Sequence, residues 1–331
     1  MSLGNVAPKF RDTFHLTNTD ILRWFPGHMG KGLKQMQHQL KNVDCIIEVH
    51  DARIPISGHY ADFNNVLTGL KPHIFILNKI DLSDMRFKDS IIESLNKKGL
   101  YNILFTNFKN VKCEGVRELI PLAQKLIKKS NRYNRSEESS FQMMIIGIPN
   151  VGKSSLINRL RSNILHKSSA VQVGGIAGVT RSVSTRVKIS ENPNIYVLDT
   201  PGILIPKIND INTGLKLALA SCMQDHLIGP ELLADFLLFW LNKHKRFEYV
   251  KKLGLTKPSD NVSDVLIYIA AKSKKTLKIK NYDGKKIIKP DLRFAAEYFL
   301  SLFRKGELGY YCLDEDLLPL LSTRRNSIQN T

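Results

Sequence analysis

The string Gly147-Ile-Pro-Asn-Val-Gly-Lys-Ser154 sets two glycines, a lysine and a hydroxyl at the spacing of a phosphate-binding loop. Glycines let successive backbone N–H groups turn inward around phosphate oxygens, Lys153 adds a cation, and Ser154 offers its hydroxyl to Mg2+. Asn150, Val151, Gly152 and Ser155 complete the set expected to touch the nucleotide. Downstream, Asp199-Thr-Pro-Gly202 closes an apolar run. A carboxylate there holds Mg2+ through water, and Gly202 donates its N–H to the terminal phosphate. Standing alone, Asp-Thr-Pro-Gly reads equally as a turn. Thr180, in the glycine-rich stretch Gly174-Gly-Ile-Ala-Gly-Val-Thr-Arg181, is the natural second hydroxyl ligand to the metal.

A third motif names the base. Asn78-Lys-Ile-Asp81 follows the apolar run 73–77 and resembles the guanine-recognition box of Ras-like GTPases. Asp81 would accept from the ring N–H and exocyclic amine of guanine, a donor pair that adenine lacks, while Asn78 bonds the other edge and Lys79 lies between them. Thr106-Asn107 stands where such proteins carry a Ser-Ala element, and the match is weak. The order is also unusual, because the guanine box precedes the phosphate loop. Opening a Ras-like chain after the Asp-x-x-Gly strand, and joining its old termini through residues 128–140, would leave the sheet intact.

These motifs need a scaffold. Short Ile- and Val-rich runs at 44–50, 73–77, 101–106, 141–147, 183–189 and 195–199 predict strands. Amphipathic segments at 31–41, 85–98, 116–129 and 153–160 predict the helices between them. The alternation predicts βαβ units feeding a parallel sheet, with the polar stretch 128–140 as a linker or exposed loop. Beyond residue 214 the pattern turns helical, most clearly at 231–241 and 294–304, with a loop or irregular hairpin at 271–289. The expected fold is therefore α/β: a Ras-like P-loop domain in circularly permuted order over 28–207, preceded by a segment 1–27. A smaller, mainly helical domain follows over 208–331.

Composition bounds the partners. The 331 residues carry 49 Lys and Arg against 30 Asp and Glu, a net of +19. About half of that excess lies between 243 and 293, where 15 basic residues face 5 acidic ones. Such a stretch suits a polyanion such as RNA, although lysines on a solvated face give the same count. Cys45, Cys113, Cys222 and Cys312 are too far apart for a zinc knuckle or a small disulfide scaffold and read as reduced thiols. No apolar run approaches the roughly 20 residues of a membrane span. The first 23 residues lack the apolar core of a secretory signal and make a poor transit peptide.

Trp24-Phe-Pro-Gly-His-Met29, Asp51-Ala-Arg-Ile-Pro55 and the three nucleotide motifs, in this order, resemble the circularly permuted ribosome-assembly GTPases. The stretches Val43-Asp-Cys-Ile-Ile-Glu-Val-His-Asp51 and Ala295-Ala-Glu-Tyr-Phe299 resemble its mitochondrial ribosome-associated GTPase 1 branch. That resemblance implies GTP hydrolysis, maturation of the large ribosomal subunit through contact with its rRNA, and a mitochondrial location in the matrix or on the matrix side of the inner membrane, with at most peripheral membrane association. It also implies catalytic roles. Ile203 stands where Ras-like proteins have the glutamine that orients water, and the resemblance hands that task to His28, beside Lys153 and Thr180. A packing or capping role for His28 is the alternative. Asn150 resembles the asparagine of K+-activated GTPases, against an ordinary loop asparagine.

A nucleotide-dependent RNA-binding module without catalysis is the rival reading, favoured by Ile203, and a cytoplasmic location is the alternative to the mitochondrial one. An ATP-dependent kinase is disfavoured by Asn78 and Asp81. The base assignment is directly testable. Asp81→Asn is expected to weaken GTP at least tenfold and to favour xanthosine triphosphate, a loss on the order of 1.5 kcal/mol for two charge-assisted bonds. Competition binding with the two nucleotides measures it, and unchanged GTP affinity would move base recognition elsewhere.

Overall fold

The structure is a computed structural model and describes residues 10–16, 36–59, 71–132, 135–165, 186–200, 210–280 and 286–319. The Ile- and Val-rich runs form a six-stranded sheet. Its strands are β1 (Cys45–Asp51), β2 (His73–Asn78), β3 (Ile103–Thr106), β4 (Phe141–Ile146), β5 (Arg186–Glu191) and β6 (Asn194–Asp199). Their spatial order is β3-β2-β1-β4-β6-β5. Every residue of β1 and β4 is buried, as expected of central strands covered on both faces. Helices α1 (Lys88–Lys97), α2 (Glu114–Lys129) and α3 (Lys153–Leu165) supply the crossovers.

Three expectations shift at this level. Five strands are parallel, but β5 pairs antiparallel with β6, because the turn between Glu191 and Asn194 is too short for a parallel crossover. The helix expected over 85–98 divides: Asp84 caps a 3-10 turn (Met85–Phe87) by accepting the Arg86 N–H, and α1 follows. Arg132 and Arg135 are tied down, since the buried Asp44 carboxylate takes Arg132 Nε at 3.2 Å, Arg135 Nε at 3.1 Å and the backbone N–H of Gln142 at 2.7 Å.

The helical part contains α4 (Ile211–Leu219), α5 (Pro230–Lys243), α6 (Glu248–Leu253), α7 (Val262–Lys272) and α8 (Leu292–Arg304). Asn261 caps α7 and Asp291 caps α8 through backbone N–H groups. Between those two helices, the Lys-dense region forms an antiparallel hairpin of β7 (Thr276–Lys280) and β8 (Lys286–Pro290). Residues 10–16 pack here as well. The Arg11 guanidinium forks onto Asp235 at 2.7 and 3.1 Å and its Nε donates to Asp260 at 3.1 Å, which also accepts the Arg11 backbone N–H at 2.9 Å, while Phe14 meets Phe236 edge-on. Among the described residues no helix is long and apolar enough to cross a membrane, and the four cysteines are buried and outside any disulfide.

The compact units do not follow the division at residue 207. Among the described residues, one unit comprises 10–16, 210–219, 224–280 and 286–309, and the sheet unit reclaims 220–223 and 310–319. Hydrogen bonds explain the return. The buried Asp314 carboxylate accepts Ser57 Oγ at 2.5 Å and the N–H groups of Ser57 and Ile56 at 2.8 and 2.9 Å. Tyr311 and Leu313 donate their N–H groups to the carbonyls of Leu82 and Arg53. Asp314→Ala strands these buried donors and is expected to destabilise the sheet unit by about 2–3 kcal/mol. Urea unfolding followed by tryptophan-independent far-UV dichroism measures the loss, and an unchanged midpoint would make the tail dispensable.

Candidate nucleotide site

The phosphate loop leaves β4 at Ile146 and enters α3 at Lys153. Two of its glycines are obligatory. Gly147 (φ +145°) lies so close to Val49 that an added Cβ would fall 2.3 Å from its carbonyl oxygen, and Gly152 (φ +110°) would meet Asn78 Nδ2 at 2.6 Å. Lys153 is buried, and its Nζ donates to the carbonyls of Gly147 and Ile148 at 3.1 and 3.0 Å. Burial draws its pKa down to about 8, against the opposing pull of Asp199. Val151 is buried at the loop crest, Gly152, Ser154 and Ser155 are half-buried, and Asn150 (φ +60°) donates its amide to the carbonyl of Ser221 at 2.8 Å.

Asp199 ends β6, one strand from the loop. Burial raises its pKa, while Lys153, the Thr200 N–H and the Ser154 hydroxyl pull it back. Its Oδ1 is buried without a hydrogen-bond partner among the described residues. A carboxylate oxygen left over beside a serine hydroxyl is a hard oxygen donor set, and it fits Mg2+.

Asn78 ends β2 and joins three segments. Its Nδ2 donates to the Val151 carbonyl at 2.7 Å, and its Oδ1 accepts the Phe108 N–H at 3.2 Å and the Thr106 hydroxyl at 3.4 Å. The weakly matching Thr106-Asn107 segment therefore meets Asn78, through the Thr106 hydroxyl and the N–H of the following Phe108. Lys79 follows in a left-handed conformation (φ +64°), and its Nζ bonds Asp51 at 2.8 Å. Asp81 lies in a 3-10 turn (Ile80–Leu82), partly open to solvent.

Asp51 and Arg53 entered the sequence reading only through the family motif; their role is geometric. Arg53 forks onto Asp51 at 2.7 and 2.9 Å and donates to the Ala220 carbonyl, so one buried carboxylate fixes both the guanine box and the 220–223 segment. Burial pushes that carboxylate up, but the two flanking cations, Arg53 and Lys79, outweigh it and hold it far below its usual range. An Asp-x-Arg pair at a strand end was the available signal. His28, Thr180 and Gly202 lie outside the described residues, as does Ile203.

A phosphate loop on β4, its carboxylate on the neighbouring β6, and a base box on β2 encoded upstream of both define a P-loop GTPase in circularly permuted order. A family model described as a 50S ribosome-binding GTPase matches residues 142–282. The chain is 52% identical to Mitochondrial GTPase 1 of Aedes aegypti, over 93% of this chain and 98% of that one. It is 48% identical to Mitochondrial ribosome-associated GTPase 1 of Mus musculus, over 96% and 97% respectively. GNP-bound YlqF from T. maritima shares the fold, with a TM-score of 0.51 and 22% identity over 84% of this chain and 95% of that one. The chain belongs to the mitochondrial GTPase 1 family and is a mitochondrial GTPase.

The lowered Lys153 pKa gives nucleotide binding a pH dependence. A bound phosphate adds negative charge and raises the lysine pKa above its value of about 8 in the free protein. Binding therefore takes up a proton above that pH, and affinity falls by up to tenfold per pH unit as pH rises. GDP titrations between pH 7 and 9 are expected to bend downward near 8, and Lys153→Arg to bind without the bend.

Proposed function

We propose that this GTPase is a switch that binds the large ribosomal subunit, assists its assembly or maturation, and hydrolyses GTP to leave. The observation that carries the reading is the pairing of Ser154 with Asp199 beside the loop, with Asp199 Oδ1 left over. In this reading Ser154, Thr180 and Asp199 hold Mg2+, which neutralises phosphate charge when bound. Lys153 leaves its loop carbonyls for the phosphates, and Val151, Gly152, Ser154 and Ser155 present backbone N–H groups to them. Asp81 reads guanine, Asn78 braces its pocket and Lys79 lines it.

His28 positions the attacking water in place of the residue missing at Ile203. Asn150 assists a K+ ion beside the phosphates, and Gly202 senses the terminal phosphate and re-aims the helical unit when it departs. The ribosomal partner is supported by the relatives' names and by the exposed lysines of the hairpin, Lys278, Lys280, Lys286 and Lys289, within the +10 stretch. Such lysines contact RNA phosphates without reading bases. The protein works in the mitochondrial matrix or on the matrix side of the inner membrane, where any membrane association is peripheral.

Co-sedimentation with purified mitochondrial large subunits tests the proposal. Binding is expected to be at least fivefold tighter with a non-hydrolysable GTP analogue than with GDP, a coupling of about 1 kcal/mol. It should also fall steeply with salt, and replacing Lys278 and Lys289 by Glu should flatten that dependence by about one unit of log slope per lost contact. Equal binding in both nucleotides would remove the switch, and salt-insensitive binding would return the lysines to solvent.

A further inference from the structure

A second cluster of ionisable groups lies on the face of β1 opposite Asp51. Side chains alternate along a strand, so Ile46, Glu48 and His50 share one face while Val49 and Asp51 take the other. His73 and Phe75 on β2 register with Ile46 and Glu48 and extend that face. His59 closes the group from the segment that Asp314 anchors at Ser57. Glu48 and His50 are 0% exposed and His59 is 9% exposed. The Asp51-Arg53-Lys79 clamp and the nucleotide motifs use none of these side chains.

Hydrogen bonds satisfy the carboxylate but not the imidazoles. His50 Nε2 donates to Glu48 Oε1 at 2.7 Å, and His73 Nε2 donates to Oε2 at 2.9 Å. His59 Nδ1 stops 3.6 Å from Oε1, beyond hydrogen-bond reach. His50 Nδ1 and both ring nitrogens of His59 are buried without a partner among the described residues. Of these, His59 Nδ1 faces the buried carboxylate with nothing to bond, the kind of orphan that a bound cation completes.

We infer that Glu48, His50 and His59 form a binding site for a divalent transition metal, zinc by the type of its donors. One ligand atom from each residue lies within 4.8 Å of the others. Donors about 2.0–2.2 Å from a tetrahedral ion stand roughly 3.3–3.6 Å apart. The separation of Glu48 Oε1 from His59 Nδ1, 3.6 Å, matches that spacing. The His50 contact is tighter and has to open by about 0.7 Å to admit the ion. Two imidazoles and one carboxylate favour zinc over magnesium or calcium. His73, bonded to the second carboxylate oxygen, orients the ligand from outside the coordination sphere.

Zinc here ties β1 to the segment through His59, so its role is to stabilise the GTPase unit. The test uses the full chain without a histidine tag, loaded with zinc and cleared of excess on a chelating resin. Elemental analysis is expected to find about one zinc per chain, and cobalt to give the visible bands of a tetrahedral site. Because Glu48→Gln alters the sheet core, the decisive variant is His59→Gln, with GDP binding confirming its fold. It is expected to retain less than about a tenth of the metal. A chelator should lower the melting temperature of the parent chain but not of the variant. Parent protein without stoichiometric zinc overturns the site and leaves a proton-sharing cluster. A His59→Gln variant that keeps its metal overturns it equally, by moving the ion to other groups.

Discussion

One amide holds the nucleotide site together. Asn78 reaches the Val151 carbonyl with its nitrogen and the Phe108 N–H with its oxygen, so the ends of β2 and β3 and the crest of the phosphate loop share one side chain. The contact leaves no spare volume, which is why the residue beside it is Gly152. An amide carries a donor and an acceptor at a fixed spacing, whereas a carboxylate only accepts and a hydroxyl puts both functions on one atom. The ends of β2 and β3 and the loop crest are held relative to one another from this point.

Around that amide, the site is organised by buried charges with assigned partners. Asp51 is matched by Arg53 and Lys79, and Asp44 by Arg132 and Arg135. Breaking such a pair leaves an uncompensated charge in a low dielectric, so each fixes the segment bearing its partner. Asp199 and Lys153 differ, since the Asp199 carboxylate keeps an oxygen in reserve and the lysine rests on carbonyls of its own loop. Groups left partly unsatisfied in a buried site are those that a ligand completes.

The permuted order costs the sheet nothing, because strand order follows pairing rather than chain order. β1 lies between β2 and β4 although residues 79–140 separate the latter two in sequence. In the segment that makes the permutation possible, 130–140, Arg132 and Arg135 are pinned by Asp44, the residue before β1. An exposed linker and an anchored one look alike in sequence, since both are rich in serine, asparagine and arginine.

Local sequence determined the strands, the phosphate loop and the base box, because each rests on short-range physics: hydrophobic period, glycine torsions, and the donor pattern of Asn78 and Asp81. It also determined the family, since ordered motifs spread along the chain survive without knowledge of any contact. Three things were decided only by tertiary structure. The antiparallel β5 depended on a tight turn rather than on its apolar pattern, which suits either direction. The return of residues 310–319 to the sheet unit depended on Asp314 finding Ser57, a partner 257 positions away. The gathering of His50, His59 and His73 around Glu48 depended on register across β1 and β2 and on a loop closing over them. Each of these joins groups distant in sequence, and side chains that meet only through the fold leave no periodicity or spacing by which to be read.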